Sequence, residues 1–593
     1  MNFLKRHKNL IFSITIPFLW ICLISMITGI YFETNDDRLF SEIFSGAMTG
    51  TPEFRSYYIH PFLGLLITLF YRITTVLPWY GLFLILFQWI CHASFTYSVL
   101  SWYEKTRKKL TAFSLLTAYY GICFTFLAHI QFTSTAALLA VTGYICLFLS
   151  LDMSASDTSI SDGNDSAEVD SFACFFSVKG WESDPLLLFF ILQLLSYLLR
   201  SDSMLMIQPY GMAMLATLLL CRFLRLHSKE VRRILFGFFC KILVGILLLI
   251  LLGKSTHFLF HHGEGWTEYE KINQGVTEIT DYSRIPDYTE VKSILEKYEV
   301  SEKQYQAFFQ YAMIEPNLSG DCLLEVAEYA KTMQPETSIR QVFSGIRENY
   351  FNPEYYSTGK LTLILWFLTI IVVLLSGNYL SLLLLAGLFF SRTVIWGYLI
   401  YRGRTPFRVI YPLWVAELLL LMVILCIQVS GEQKKYAKLL YQFIFCLLIL
   451  GSLWILKKQY VSIKPLNLSD KIYNTGYSEL IDYCDNHPEN HYFLDAGTLL
   501  YYRGSAYTAK PFHPRNSLIT GCWYSGAPVL YDRIAEYAPQ NMDIYLVVSP
   551  DLVYQKEAVL AYFEEWRGAT ATYEESFTVS NGGTYEVYGF HFY

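Results

Sequence analysis

Two adjacent carboxylates stand a few residues after the first long apolar run of the chain. Asp36 and Asp37 lie in the segment FETNDDRLF, which continues as an amphipathic helical pattern. A carboxylate at this position can deprotonate or orient a hydroxyl group, or hold a divalent cation. The alternative is a solvated, N-capping aspartate pair that opens the helix. The apolar face of the predicted helix carries Leu39, Phe40, Ile43 and Phe44.

Three arginines crowd into one short segment, YLIYRGRTPFRVIYP, as Arg402, Arg404 and Arg408. A guanidinium recognises phosphate through its planar fork of N–H donors, so a lipid phosphate or pyrophosphate is a natural partner. The alternative is that these long side chains only reach ordinary anionic headgroups. We favour the ligand interpretation, because the segment falls on the side of the membrane where arginine is otherwise depleted.

Four further polar residues are candidate substrate ligands. Arg200 and Asp202 stand between two apolar runs, either as an anion clamp or as the marks of a short hairpin. Gln131, in HIQFTSTAALLA, either lines a polar cavity or caps a helix. His60, just before a proline, either faces a cavity or has a structural role.

A metal site in the segment HHGEG has little support. His261, His262 and Glu264 lack the i, i+4 spacing of the helical H-E-x-x-H motif, and the glycines indicate a loop. The sequence therefore disfavours a metal at this place.

The composition indicates that these residues belong to a membrane protein. Of the 593 residues, 53% are hydrophobic and only 16% are charged, whereas a soluble domain carries about a quarter charged residues. The formal charge of -6 and the scattered basic residues exclude a nucleic-acid footprint. A purely soluble enzyme is excluded. The C-terminal region from about Tyr473 contains no P-loop or G-x-G-x-x-G motif, so nucleotide binding there has no support.

Apolar runs long enough to cross about 30 Å of hydrocarbon predict about eleven membrane-spanning helices. The first run follows a basic segment but lacks a small-residue cleavage site, so we predict a retained anchor. The predicted spans are 10-32, 80-101, 110-128, 131-151, 185-199, 204-222, 234-253, 361-376, 379-397, 409-430 and 438-456.

Lysine and arginine in the loops predict the orientation, because positively charged loops stay in the cytoplasm. With eleven spans, the four basic clusters, which begin at Lys5, Lys105, Arg222 and Lys434, fall on one side together with the N-terminus. The apolar run 61-77 would break this pattern if it crossed. We therefore predict that it lies at the outer interface, as part of a segment of interfacial helices at 38-78.

This topology predicts two domains. Residues 1-456 form the transmembrane domain, with an acidic, serine-rich cytoplasmic disordered insertion at 152-184 and an outer helical loop at 254-360. Residues 457-593 form a small extracytoplasmic α/β domain. Its pattern is a helix (YSELIDYCD), two strands (HYFLDA and DIYLVVS), a helix (QKEAVLAYFEEW) and a final strand (TYEVYGFHFY).

The combination of a first span with a cytoplasmic start, the Asp36-Asp37 pair, interfacial helices and outer arginines resembles the GT-C glycosyltransferases. These are polytopic membrane enzymes that use polyprenyl-phosphate sugars, and the NDD segment with TGTPEFRSYYIHPFLG is similar to bacterial surface-glycan members. The resemblance implies a GT-C-like α-helical fold in a bacterial plasma membrane. It also implies that Asp36 or Asp37 is the catalytic carboxylate and that Arg402, Arg404 or Arg408 holds the donor phosphate.

Some members of this superfamily require a divalent cation, Mg²⁺ or Mn²⁺, and others do not. This sequence shows no second carboxylate motif such as D-x-D in a later loop. The resemblance therefore leaves a cation cofactor open.

The resulting hypothesis is an inverting transfer of sugar from a polyprenyl-phosphate donor to a surface glycan, lipid or protein on the outer face of the membrane. The alternatives are a flippase or transporter of lipid-linked glycan, a polymerase of lipid-linked repeat units, and a structural assembly factor. A transporter predicts charges near the membrane midplane and repeated halves. The apolar runs contain only Lys241, Arg392 and Glu417 as clear ionisable residues, and the sequence shows no repeat.

Overall fold

A computed structural model provides the fold. It describes residues 7–158, 185–225, 229–309, 318–334, 337–352, 356–430, 435–499, 502–507, 512–537, 542–551 and 556–592. The predicted insertion at 152-184 lies mostly outside these described residues.

The secondary structure is mainly helical. In chain order the helices are α1 (Lys8–Ile27), α2 (Asn35–Ser45), α3 (Pro61–Ile73), α4 (Trp79–Thr106), α5 (Lys109–Ile122), α6 (Phe124–Ala128), α7 (Phe132–Thr158), α8 (Pro185–Leu199), α9 (Ser201–Arg225), α10 (Lys229–Phe260), α11 (Glu264–Thr277), α12 (Tyr288–Lys297), α13 (Glu302–Phe309), α14 (Gly320–Thr332), α15 (Ile339–Tyr350), α16 (Tyr356–Ser376), α17 (Ser381–Tyr401), α18 (Phe407–Ser430), α19 (Lys435–Asp485), α20 (Pro528–Tyr537) and α21 (Lys556–Arg567). A π-helical turn, Glu278–Tyr282, follows α11. The strands are β1 (Tyr31–Phe32), β2 (His129–Ile130), β3 (His491–Asp495), β4 (Ser517–Thr520), β5 (Ile544–Val548), β6 (Thr572–Thr578) and β7 (Thr584–Phe590).

Nine helices within the described ranges are long and apolar enough to cross a membrane. The protein is thus a polytopic, mostly helical membrane protein, as its composition predicts. The other two of the eleven predicted spans form helices of fewer than 18 residues. The run 110-128 is interrupted at Cys123, which separates α5 from α6, and the run 185-199 forms the 15-residue helix α8. The apolar run 61-77 forms the 13-residue helix α3, and its place at the outer interface stays a prediction.

The chain divides into two compact units. The helical unit comprises residues 1–30, 84–255 and 337–464, and the mixed unit comprises residues 31–83, 256–336 and 465–593. The sequence boundary predicted at residue 456 falls inside α19, a continuous helix of 51 residues.

Burial differs sharply among the spans of the helical unit. Helices α7 and α18 are 94% buried over their most apolar stretches, and α8 packs along α7. In contrast, α1 and α10 are only 22% buried over theirs. The helical unit therefore has an interior of spans that are covered by other helices.

A five-stranded mixed sheet forms the C-terminal part of the mixed unit, in the order β4-β3-β5-β7-β6. Strand β3 pairs in parallel with β4 and β5, whereas β7 pairs antiparallel with β5 and β6. The small α/β domain is thus confirmed, with β3, β5, β7 and α21 where the sequence predicts them. Strands β4 and β6 and helix α20 were not predicted.

The segment between α10 and α15 is helical, as its sequence patterns predict. Helices α12 and α13 coincide with EVKSILEKYEV and the first part of SEKQYQAFFQYAM. Together with α14 they enclose a cluster of buried side chains that includes Val291, Leu295, Phe308 and Leu323.

A close approach in α3 gives a test of the packing of the mixed unit. A Cβ added at Gly64 would lie 2.0 Å from the carbonyl oxygen of Phe54, so backbone would have to move. We expect Gly64→Ala to lower the free energy of unfolding by about 1–3 kcal/mol, the usual cost of overpacking. Gly237→Ala is the matched control, because nothing lies within 4 Å of its added Cβ. Thermal unfolding in detergent that ranks the two variants equally would contradict this packing.

Candidate functional site

Helix α2 carries both predicted catalytic carboxylates in its first turn. The backbone of Thr34 is extended just before the helix, and Gly46, in the left-handed conformation, ends it. The N-terminal turn stabilises negative charge, because its backbone N–H groups are unpaired and the helix dipole is positive there. Every residue from Asp37 to Ser45 is buried, so the protein covers the polar face of the helix as well as the apolar one.

Asp37 is fully buried, and both of its carboxylate oxygens are engaged. The Tyr80 hydroxyl donates to Oδ1 over 2.7 Å, and the Thr34 hydroxyl donates to Oδ2 over 3.2 Å. Two hydroxyl donors compensate the desolvation of the charge. These two hydrogen bonds hold the first turn of α2 in place and give Asp37 a structural role.

Asp36, in contrast, is half-buried and only partly engaged. The indole N–H of Trp523 donates to its Oδ1 over 3.0 Å. Within the described part of the chain, no hydrogen bond reaches its Oδ2. Asp36 therefore has one oriented and one available oxygen, which is the arrangement that a general base requires.

Aromatic rings surround the contact between Asp36 and Trp523. The indole ring packs against Phe40 at 5.0 Å and against Tyr58 at 5.3 Å between ring centroids. Tyr524 meets it edge-on at 5.7 Å. Ligand sites commonly combine such apolar and aromatic walls with a few well-placed polar groups.

A buried charge cluster holds α2 in place. Glu42 Oε1 lies 3.2 Å from both Arg38 Nη1 and Arg515 Nη1 and accepts a hydrogen bond from the Tyr477 hydroxyl over 2.8 Å. Arg38 also donates from Nε to the carbonyl oxygen of Tyr502 over 3.0 Å. We call Arg38, Glu42, Tyr477 and Arg515 the α2 clamp.

The α2 clamp shifts the pKa of its carboxyl group. Burial by itself would raise the pKa of Glu42, but the guanidiniums of Arg515 and Arg38 outweigh it and hold that pKa below its ordinary value. Glu42 therefore stays ionised while it is buried. The carboxylate and its two guanidinium partners act as one unit that fixes α2 to the rest of the mixed unit.

Another ion pair between an arginine and a glutamate lies in the loop before α3. Arg55 forms a two-pronged ion pair with Glu53, with N–O distances of 2.8 and 3.1 Å. Its guanidinium also lies 4.1 Å from the centre of the Trp266 ring. Arg55 lies within the TGTPEFRSYYIHPFLG segment, but the sequence alone did not predict its contacts with Glu53 and Trp266.

His60 has a structural position at the start of α3. Its Nδ1 accepts the backbone N–H of Phe62 over 3.3 Å, and its Nε2 lies 3.2 Å from the Thr256 hydroxyl. Both ring nitrogens are thus engaged. The geometry matches the structural alternative for His60, and substrate binding by this residue stays a prediction.

Gln131 has a comparable capping position in the helical unit. It is fully buried, and its Oε1 accepts the backbone N–H groups of Thr133 and Ser134 over 2.8 and 3.1 Å. This is the helix-cap alternative, at the start of α7.

The Arg200–Asp202 pair stands where α8 meets α9. Arg200 Nη2 lies 3.7 Å from Asp202 Oδ2, and the Asp202 side chain is 71% exposed. The guanidinium also lies 5.0 Å from the centre of the Phe132 ring. Exposed ion pairs of this kind contribute little stability, so an anion could replace Asp202 at small cost.

The three clustered arginines flank the turn between α17 and α18. Arg402 and Arg404 lie in the turn itself, and Arg408 lies in the first turn of α18. All three are half-buried, and Gly403 between them has a φ of +68°. The structure thus keeps the three guanidiniums on one short stretch of backbone.

The candidate residues divide between the two units. Asp36, Asp37 and His60 belong to the mixed unit, and the other six predicted site residues, Arg200, Asp202, Gln131, Arg402, Arg404 and Arg408, belong to the helical unit.

The partners of the carboxylates could not be predicted from the sequence, because Trp523 is 487 residues from Asp36 and Tyr80 is 43 residues from Asp37. Each partner is a single aromatic residue in an aromatic-rich chain. No local signal distinguishes either of them.

The resemblance left open a Mg²⁺ or Mn²⁺ cofactor at Asp36 and Asp37. The residues at this place do not fit such an ion. Both Asp37 oxygens accept hydroxyl hydrogens, and one Asp36 oxygen accepts an indole hydrogen. Across the described ranges, no third carboxylate or imidazole groups with this pair. Such ions prefer several oxygen ligands, which this pair of carboxylates does not supply.

No protein-family model matches the sequence, and neither a curated protein nor a solved structure is similar to it.

Proposed function

We propose that this protein is a membrane glycosyltransferase that moves a sugar from a polyprenyl-phosphate donor to a hydroxyl group of a surface glycan, lipid or protein, with inversion. The observation that carries the proposal is the state of Asp36. Its carboxylate is oriented by Trp523 through one oxygen, has its other oxygen available, and lies beside aromatic rings. That combination suits a sugar, whose hydroxyl groups need an acceptor and whose ring faces are apolar.

The proposed reaction is a single displacement. The acceptor hydroxyl donates a hydrogen bond to Asp36 Oδ2, and the carboxylate takes its proton as the oxygen attacks the anomeric carbon. The bond from that carbon to the phosphate oxygen breaks, and its electron pair leaves on the lipid phosphate. Because attack and departure occur on opposite faces, the configuration inverts.

Asp37 supports this chemistry without taking part in it. Its oxygens already accept hydrogen bonds from Tyr80 and Thr34, so it has less capacity to accept a proton from a substrate. By fixing the first turn of α2, it positions the neighbouring Asp36. The Trp523 N–H, which is a donor only, holds Asp36 Oδ1 in place.

Within the helical unit, the arginines of the α17–α18 turn are proposed to recruit the lipid donor through its phosphate, as a step separate from the reaction at Asp36. Arg404→Gln should raise the KM for the donor by about tenfold or more, because a hydrogen bond to a charged group contributes about 1.5–3 kcal/mol. Arg404→Lys should keep part of the affinity. Arg233→Gln is the control, since that arginine is exposed near the start of α10. Equal KM values for all three variants would argue against phosphate binding here.

The proposed orientation has the N-terminus and the basic loop clusters in the cytoplasm of a bacterial cell. The transfer site and the C-terminal domain then face outward. The support is the distribution of lysine and arginine between the spans.

Reconstituted vesicles provide the test. Purified protein is supplied with polyprenyl-phosphate donors that carry different radiolabelled sugars, together with lipid and glycan acceptors. We expect labelled product from one donor class, with release of unlabelled polyprenyl phosphate in equal amount. Folded protein that consumes no donor under any of these conditions would contradict the proposal.

One observation favours a second candidate, a transporter of lipid-linked glycan. Arg392 of α17 and Glu417 of α18 lie 3.4 Å apart in otherwise apolar spans, and Glu417 is fully buried. Tyr350 and Trp366 donate hydrogen bonds to the same carboxylate over 3.1 and 2.6 Å. Ionisable groups inside spans often mark transport pathways. Flipping of a fluorescent lipid-linked sugar that Glu417→Gln abolishes, without any transfer, would establish this candidate instead.

A further inference from the structure

A group of three metal-ligating side chains lies where α10 ends and α11 begins. His257 and His261 are four residues apart in HFLFH, so they lie on one face of the last turn of α10 and the residue after it. Glu270 projects from α11, and one ligand atom from each of the three residues falls within 4.8 Å of the other two. All three belong to the mixed unit.

Two of the atoms that could bind a metal in this group lack hydrogen bonds to the described residues. The His261 side chain is almost completely buried, and its Nε2 has no hydrogen-bond partner among the residues that the structure describes. Glu270 Oε1 lies 3.4 Å from His257 Nδ1 and 4.0 Å from His261 Nδ1, and it too lacks a hydrogen-bond partner. An unsatisfied buried polar atom costs about 1–3 kcal/mol. A ligand that accepts these lone pairs would remove the cost.

The surroundings orient the imidazoles for such a ligand. His261 Nδ1 lies 3.2 Å from the carbonyl oxygen of His257 and can donate to it, which leaves Nε2 as the lone-pair nitrogen. The two imidazole rings stack at 4.2 Å, and Trp266 meets His261 edge-on. His60 is excluded as a further ligand, because both of its nitrogens are engaged.

We propose that His257, His261 and Glu270 bind one transition-metal cation of the Zn²⁺ class. Two imidazoles and one carboxylate form the ligand set that this ion accepts, with a fourth position left for water. Mg²⁺ is disfavoured, because it prefers oxygen ligands in octahedral geometry. Zinc bonds of about 2.0–2.2 Å require the ligand atoms to approach to about 3.3 Å. The partly exposed Glu270 side chain can close that gap by rotation.

The chemical consequence is a cross-link between α10 and α11 across the turn at Gly263, whose φ is +133°. The cation would fix Trp266, which packs against both His261 and Arg55. This proposal does not depend on the sugar-transfer proposal.

The test uses the purified full-length chain after treatment with a chelator. Co²⁺ is the probe, since its visible absorption reports tetrahedral coordination by nitrogen and oxygen. We expect one Co²⁺ per chain with intense visible bands, displacement by Zn²⁺, and a higher unfolding temperature in the presence of either ion, because a ligand that binds only the folded state stabilises it.

Two matched histidine variants decide the outcome. His261→Ala should weaken Co²⁺ binding by more than about tenfold, because even residues that merely orient a metal ligand cost about 10–100-fold. His262→Ala removes the adjacent, exposed imidazole and should bind like the parent protein. Glu270→Gln, a nearly isosteric change, should also lose the bands while the chain stays folded by gel filtration. Binding that is equal in all variants, or lost only in His262→Ala, would overturn the proposal.

Discussion

Asp36→Asn is expected to lower the rate of sugar transfer by about 10²–10⁴-fold, the usual contribution of a positioned general base. The carboxamide keeps an oxygen that can accept the Trp523 N–H, so the local fold should be retained. It cannot take the proton of the acceptor hydroxyl. The measurement is the initial rate of labelled-sugar transfer in vesicles at equal protein level.

Three companion variants separate chemistry from structure at this site. Asp37→Asn should mainly lower the unfolding temperature, because Asp37 is buried between Tyr80 and Thr34. Trp523→Phe keeps an aromatic ring but removes the N–H, and it should reduce the rate less than Asp36→Asn does. Asp551→Asn changes an exposed carboxylate and should leave the rate unchanged. A rate that Asp37→Asn abolishes while Asp36→Asn leaves it intact would reverse the proposed roles.

Glu42→Gln is expected to lower the free energy of unfolding by about 3–5 kcal/mol, the usual cost of removing one partner of a buried ion pair. The substitution leaves Arg38 and Arg515 buried without the carboxylate that lies 3.2 Å from each. A second substitution, Arg515→Gln, should recover part of this loss, because the two residues are coupled. Glu328→Gln, at an exposed ion pair with Lys331, should change stability little.

The same carboxyl group predicts how stability depends on pH. The folded-state pKa of Glu42 is below its unfolded value, so its contribution is complete above the ordinary glutamate pKa of about 4.3. It is lost as the pH falls through the lower, folded-state pKa. The parent protein should therefore lose stability on acidification more steeply than Glu42→Gln. Parallel curves of unfolding temperature against pH would show that Glu42 is not ionised in the folded protein.

The spans and strands could be predicted from sequence because they depend on local properties. Apolar length identified nine helices, and alternating apolar residues identified β3, β5 and β7. The interruption at Cys123 could not be predicted, since the residues on either side of it are equally apolar. Strands β4 and β6 are short or exposed, and neither has a continuous apolar pattern.

The candidate site was predictable only in part. The carboxylates of α2 stood out because charge is rare beside a long apolar run. The side chains that orient them did not, because contacts between residues as distant as Asp36 and Trp523 leave no mark on local sequence. The His257–His261 pair has an i, i+4 spacing that the sequence shows directly. Its third member, Glu270, requires the turn between α10 and α11 to be known.

Helices α1 and α18 are equally apolar, yet 22% of one and 94% of the other is buried by protein. The two helices therefore have different surroundings. Helix α1 mostly faces lipid, whose fluid chains accommodate apolar side chains of different shapes. Leucine, isoleucine and phenylalanine are therefore interchangeable there. Helix α18 instead packs against neighbouring helices. In such a close-packed interior, the shape of each side chain matters to within a methyl group. Exchange among apolar residues should thus be silent in α1 and costly in α18.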